Sequence, residues 1–297
     1  MSLGFKADFL KVDDQCLEET DISSPYKLAS RAHQLENTII HIKGQSIGGE
    51  TLAVIAGPCS IESKDQIDEI AAFIASLGAK FLRGGAFKPR TSPYDFQGLG
   101  ERGLDYMQQA VERYGLVSVS EIMDSADVPI LSHYVDILQV GARNMQNYSL
   151  LKAVGQTKKP VLLKRGFSAT YTDVLLSAEY ILQADNPQVI LCERGIRTFE
   201  TYTRNTLDLA AVPVFQSLSH LPVLVDPSHG TGRRELVTTM SLAAITAGAS
   251  GLMVEVHPEP NQSISDAKQT ISFEMFEQLM KCISNAITCS KTLYPYA

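Results

Sequence analysis

The sequence predicts an α/β fold, a single (β/α)8 TIM barrel, and three observations carry that prediction. Eight short apolar runs, rich in β-branched residues, lie at 52–58, 80–85, 116–122, 137–141, 160–165, 189–194, 222–227 and 251–257. They are apolar at consecutive positions, as parallel strands covered on both faces must be, instead of alternating. Each is followed by a longer stretch of helical periodicity, and the whole series fills about 240 residues, the size of such a barrel. An open doubly wound sheet is the alternative, but eight consecutive units favour closure.

The elements follow in order. Residues 1–50 do not share the rhythm and read as an N-terminal arm and capping hairpin, leaving 51–297 for the barrel. Two short strands, 37–43 and 45–47 around Gly44, make the hairpin and can close the N-terminal end of the barrel. Residues 5–35 are polar and form the arm. After the first strand, Ile67, Ile70, Ala71 and Ile74 repeat at i, i+3, i+4, i+7, which is one helical face. Ser63 and Gln66 have the spacing of a capping box, and Gly78 sits where a C′ glycine belongs. Further helices are expected at about 100–114, 124–134, 147–155, 171–184, 204–212, 234–249 and 269–289.

Composition narrows the function. The formal charge of −7 argues against nucleic acid as a partner. No run approaches the roughly 18 apolar residues of a membrane span, and residues 1–12 lack the basic and apolar blocks of a signal peptide. The cysteines are Cys16, Cys59, Cys192, Cys282 and Cys289, with no CxxC pair, which implies thiols in a reducing cytoplasm.

Barrel enzymes build their sites at the carboxyl ends of the strands. Arg83, Lys88, Arg90, Arg143, Lys164 and Arg194 all fall there, in a chain of net negative charge. Cations gathered so closely call for anions, and arginine's fork of donors suits carboxylate and phosphate. Cys59, His229, Glu255 and Asp266 come from strand 1, the loop after strand 7, strand 8 and the loop after strand 8, neighbours once the barrel closes. One thiolate, one imidazole and two carboxylates suit a borderline divalent transition ion better than calcium or magnesium. Cys192 reads as a packed thiol, and His33, His41, His133 and His220 as surface or connector residues; His257 stays open.

The motifs resemble a known family. Ala-Gly-Pro-Cys-Ser at 56–60, Leu-Arg-Gly-Gly-Ala-Phe-Lys-Pro-Arg-Thr-Ser at 82–92, Gly-Ala-Arg-Asn at 141–144, Leu-Lys-Arg-Gly at 163–166, Cys-Glu-Arg-Gly at 192–195, Asp-Pro-Ser-His at 226–229 and Val-Glu-Val-His at 254–257 are similar to the Iβ type of 3-deoxy-D-arabino-heptulosonate 7-phosphate (DAHP) synthase. The resemblance spans about residues 25–290. It implies condensation of phosphoenolpyruvate with erythrose 4-phosphate and water, the entry step of the shikimate pathway. The related octulosonate synthases use arabinose 5-phosphate and carry Lys-Ala-Asn-Arg-Ser where this chain has Lys88-Pro89-Arg90-Thr91-Ser92.

By the same resemblance, Arg83, Lys88, Arg143, Lys164 and Arg194 hold phosphoenolpyruvate, and Arg90, Thr91 and Ser92 hold the aldose phosphate. Cys59, His229, Glu255 and Asp266 hold a divalent metal, Mn2+ first, with Fe2+, Zn2+ and Co2+ as alternatives. Asp226 contacts the aldose. On chemical grounds, since water must reach the electron-poor C2 of phosphoenolpyruvate, Glu121 and Lys88 are the candidates to orient it or shuttle protons. A homotetramer is implied. Residues 1–50 are too short for the regulatory modules common in the family, so feedback inhibition is expected only from a separate partner chain. The rival functions are octulosonate synthase, a catalytically silent barrel that binds phosphometabolites, and a Schiff-base aldolase using Lys164.

Overall fold

Eight parallel strands close on themselves in chain order in this computed structural model, which describes residues 24–88, 94 and 96–293. The barrel strands are β3 (Ala53–Gly57), β4 (Phe81–Arg83), β5 (Val117–Ile122), β6 (Ile137–Val140), β7 (Val161–Lys164), β8 (Val189–Glu193), β9 (Val223–Val225) and β10 (Gly251–Glu255). Each lies within its expected run, and β10 pairs with both β9 and β3 to complete the closure.

Strand periodicity sorts the side chains into two cores. Ile55, Phe81, Val117, Val119, Leu162, Ile190, Leu224 and Met253 fill the barrel interior. Their neighbours Val54, Leu82, Leu163, Leu191, Val225 and Val254 pack outward against the helices. Most strands are therefore apolar on both faces, Ser118 and Ser120 of β5 and Gln139 of β6 being buried polar exceptions, which is why the sequence shows runs instead of alternation.

The floor of the barrel is the hairpin of β1 (Ile40–Ile42) and β2 (Gln45–Ile47). Lys43 (φ 47°) and Gly44 (φ 76°) both take left-handed conformations at its turn, as a two-residue type I′ connection requires. Ile40 and Ile47 pair across the hairpin and enter the interior core. Truncating either to alanine should cost about 2–5 kcal/mol. Lys27 N and Ala29 N donate to the buried Glu179 carboxylate at 2.8 and 2.7 Å, fastening this part of the N-terminal segment to the helix Tyr171–Leu182 on the outside of the barrel.

The helices are α1 (Lys64–Ser76), α2 (Glu101–Tyr114), α3 (Val128–Tyr134), α4 (Tyr148–Gln156), α5 (Tyr171–Leu182), α6 (Ala211–Leu218), α7 (Pro227–Thr231), α8 (Arg234–Thr246) and α9 (Phe273–Leu293). Helix α1 buries the expected face of Ile67, Ile70, Ala71 and Ile74, and Gly78 takes φ 87° just beyond its end. Only half of the expected capping box forms. The Ser63 side chain accepts from Gln66 N, but Gln66 Oε1 accepts from Glu62 N, one residue earlier than the box requires.

Two expectations are corrected. The helix expected at 204–212 begins instead at Ala211, because Pro213 is tolerated in a first turn but not further along. Residues 196–206 form a loop closed by an Ile196–Thr206 bridge. The segment after β9, read as a loop, holds the short helix α7, capped by the Asp226 side chain with Pro227 in its first turn. Among the described residues, no helix is long and apolar enough to cross a membrane.

Candidate active site and metal centre

The alternation that sends Phe81, Val119, Leu162, Leu224 and Met253 into the interior also aims Arg83, Glu121, Lys164, Asp226 and Glu255 inward, at the carboxyl-terminal mouth. Arg194 continues the parity of Ile190 and Cys192. A cleft of about 120 Å3 at this mouth is lined by Arg83, Lys88, Glu121, Gln139, Gly141, Ala142, Arg143, Lys164, Phe167, Arg194, Arg204, His229 and Asp266. A Cβ at Gly141 would stand 2.0 Å from Glu121 Oε1, so any other residue there would displace that carboxylate.

Cys59, His229, Glu255 and Asp266 converge beside the cleft, with one potential ligand atom from each, all within 4.8 Å of one another. Cys59 Sγ is 3.2 Å from Asp266 Oδ2, and His229 Nε2 is 3.3 Å from Glu255 Oε1 and 3.7 Å from Asp266 Oδ2. The loop bearing Asp266 is drawn to the Cys59 loop by a Ser60–Ser265 hydroxyl contact of 2.7 Å and by Ile264 N donating to Glu62 at 2.9 Å. Asp226 Oδ2 accepts from His229 Nδ1 at 2.8 Å, which orients the ring so that Nε2 faces the cluster. This donor set fits a borderline divalent transition ion.

Burial, Glu255 and Asp266 push the Cys59 thiol up to about 12, against the opposing pull of Lys88. Burial also acts to raise Asp226, but His229 and Lys164 overcome it and hold that carboxyl well below its usual range. Asp266 behaves likewise, lowered by His229 and Arg204 against its burial.

The cations are more engaged than their gathering in the sequence implied. Arg83 pairs with Glu255 at 2.6 Å and Lys164 with Asp226 at 2.5 Å. Lys88 Nζ donates to Cys59 O at 2.9 Å and approaches Cys59 Sγ at 3.1 Å. Part of the crowding is thus relieved by Glu255 and Asp226, without a substrate anion. Arg194 differs. It stacks on Phe167 at 4.6 Å, its Nη1 is buried with no hydrogen-bond partner among the described residues, and desolvation lowers its pKa. Arg143 is exposed at the rim. Arg90, Thr91 and Ser92 lie outside the described residues.

Cys192 packs in the interior core, as expected. His257 stands apart from the ligand cluster, its Nδ1 accepting from Glu259 N at 3.0 Å. His220 is a connector, but a buried one, held by Thr38 Oγ1 and Leu28 O. Asp226 accepts from Lys164 and from the His229 ring, and so orients both side chains. Sequence reasoning missed Arg204 and Gln269, which touch the two carboxylates of the cluster. It also missed the buried Arg165–Glu193 pair behind Arg194. The first two fell at the starts of stretches expected to be helical, 204–212 and 269–289, whose helices begin instead at Ala211 and Phe273; the Glu-Arg spacing on adjacent strand ends could have suggested the third.

Comparison with known proteins agrees with this picture. The DAHP synthetase I family model matches residues 33–290. A phospho-2-dehydro-3-deoxyheptonate aldolase from Thermotoga maritima is 52% identical over 276 residues, covering 92% of this chain and 82% of that protein. The crystal structure of that organism's DAHP synthase superposes with a TM-score of 0.87 at 50% identity, covering 94% of this chain and 84% of the other. A 2-dehydro-3-deoxyphosphooctonate aldolase from Syntrophobacter fumaroxidans is more distant, 30% identical over 81% of this chain and 88% of its own. With a closed barrel, a four-ligand cluster beside a cationic cleft and relatives at this identity, the chain belongs to the DAHP synthetase I family.

Proposed function

We propose that this chain condenses phosphoenolpyruvate with erythrose 4-phosphate and water, giving 3-deoxy-D-arabino-heptulosonate 7-phosphate and inorganic phosphate, with a divalent metal at Cys59, His229, Glu255 and Asp266. The observation that carries the reading is that His229 and Asp266 belong both to the ligand cluster and to the wall of the cationic cleft. An ion held by the cluster therefore borders the space where an anionic substrate would lie.

The groups divide the work. Arg194, whose buried Nη1 has no partner among the described residues, and Arg83, Lys164 and Arg143 would receive the carboxylate and phosphate of phosphoenolpyruvate. Arg90, Thr91 and Ser92 would hold the aldose phosphate, by family resemblance. Fixing two polyanions side by side turns a bimolecular encounter into an oriented one. A bound divalent ion, Mn2+ first, supplies Lewis-acid polarisation of the aldehyde oxygen. The nucleophile is C3 of phosphoenolpyruvate, which forms the new carbon–carbon bond to the aldehyde carbon and leaves C2 electron-poor. The aldehyde oxygen takes up a proton to become a hydroxyl. Water adds to C2 and loses one proton; the second is lost as the C2–O bond breaks with its electron pair on the departing phosphate, leaving the C2 ketone. Glu121 and Lys88 both face the cleft and are suited to orient that water and carry protons.

Two rivals are less well supported. Lys164 sits against a carboxylate instead of in the apolar niche a Schiff-base lysine needs. The octulosonate activity has support only from relatives near 30% identity, against 52% for the heptonate enzyme. A homotetramer and a cytoplasmic setting rest on the family resemblance. Product identity tests the proposal: mass spectrometry after incubation with both substrates should find the seven-carbon keto-acid phosphate, and unreacted phosphoenolpyruvate would refute it.

A further inference from the structure

We infer that Gln269 and Arg204 are positioning residues that hold Glu255 and Asp266 so that each turns a single oxygen toward the ligand cluster. The inference rests on the metal centre proposed above. Gln269 Nε2 donates to Glu255 Oε2 at 2.6 Å, and Gln269 Oε1 accepts from Arg204 Nη1 at 3.0 Å. The same Nη1 donates to Asp266 Oδ1 at 3.1 Å. The oxygens that face His229 and Cys59 are the other two, Glu255 Oε1 and Asp266 Oδ2. An amide and a guanidinium thus form a bridge from one carboxylate to the other, occupying the outer oxygen of each.

The chemistry of the bridge requires these residue types. The end of Gln269 that meets a carboxylate must be its NH2, and the end that meets a guanidinium must be its oxygen, so both neighbours dictate one amide orientation. Glutamate there would set a second negative charge against Glu255. Gln269 is also buried, so its polar ends depend on these partners.

Gln269 holds Asp266 a second way. Asp266 adopts φ 57°, uncommon for a residue other than glycine. Its carbonyl accepts from Gln269 N at 3.2 Å, Thr270 N at 3.3 Å and Thr270 Oγ1 at 3.0 Å. The turn that presents Asp266 and the side chain that braces Glu255 therefore share one residue. Neither Gln269 nor Arg204 belongs to the ligand cluster itself. Loss of such outer partners typically weakens metal binding by about 10–100-fold.

The test is Mn2+ binding to metal-stripped protein, followed by the electron paramagnetic resonance of free Mn2+. Wild type, Gln269→Met and Arg204→Gln are compared, with the thermal midpoint of each stripped protein checking the fold. The Arg204 side chain is 40% exposed, so its replacement is tolerated, and that variant alone decides if Gln269→Met does not fold. The expected result is one tight Mn2+ per wild-type chain and a dissociation constant raised by about 10–100-fold in each variant. In the Co2+-loaded protein, the thiolate-to-metal absorption should shift in both variants. Folded variants binding Mn2+ within about twofold of wild type, with an unaltered Co2+ spectrum, would overturn the inference and leave the metal centre standing. A wild type that binds no Mn2+ would overturn the metal centre and this inference with it.

Discussion

Asp226 and His229 are joined twice: the carboxylate accepts from the backbone N of His229 at 2.9 Å and from its Nδ1 at 2.8 Å. One side chain thereby caps helix α7 and orients the imidazole. Lys164 lies against the same carboxylate at 2.5 Å, so the cationic cleft and the ligand cluster meet at Asp226. The spacing Asp-Pro-Ser-His does this work, since Pro227 starts the helix and His229 falls three residues after its cap.

Replacing Asp226 by asparagine should keep the shape but lose the charge that orients the imidazole. Half-saturation by Mn2+ in an activity titration should rise by about 10–100-fold. An unchanged half-saturation point would remove Asp226 from its orienting role.

Arg194 should trade stability for binding. Its guanidinium is desolvated and its Nη1 is buried without a partner among the described residues, a state that typically costs about 1–3 kcal/mol. Arg194→Met should therefore leave the thermal midpoint of the ligand-free protein equal or higher. The same change should raise the phosphoenolpyruvate KM by about 10- to 150-fold, the equivalent of a lost charge-assisted contact. A lowered midpoint with an unchanged KM would mean that Arg194 serves the fold.

Much of this was legible beforehand because strand burial has a simple signature. Arg83, Lys164 and Glu255 stand out as charges ending apolar runs, and a barrel concentrates such charges at one mouth. The ligand set was legible only once closure made strand 1 and strand 8 neighbours. Arg204 was hidden because a helix was expected over it, and the true start at Ala211 depends on where Pro213 is tolerated. Gln269 carries no periodic or charged signal, and its role exists only through tertiary contacts. The pairing of Arg83 with Glu255 was likewise invisible, since it joins residues 172 apart.

Metal binding should release protons. The Cys59 thiol of the metal-free site is pushed up to about 12, so it is protonated throughout the neutral range, and a bound metal takes the thiolate. Affinity should therefore climb with pH between about 6 and 9, roughly tenfold per unit for this one proton. Calorimetry in buffers of different ionisation enthalpy would count the protons. Release of none would exclude Cys59 as a thiolate ligand.

Arg90→Ala should separate the two substrates. Its aldose KM should rise about 10- to 150-fold, the equivalent of one charge-assisted phosphate contact, with little change for phosphoenolpyruvate. Equal effects on both KM values would mean that the two phosphate positions are interchanged.

The most direct test of the whole account is the initial rate of inorganic phosphate release from phosphoenolpyruvate, measured with erythrose 4-phosphate and with arabinose 5-phosphate, before and after exhaustive chelation. The account predicts the faster release with erythrose 4-phosphate, its loss on chelation, and its return with Mn2+. A preference for arabinose 5-phosphate, or full activity from a chain stripped of metal, would contradict it.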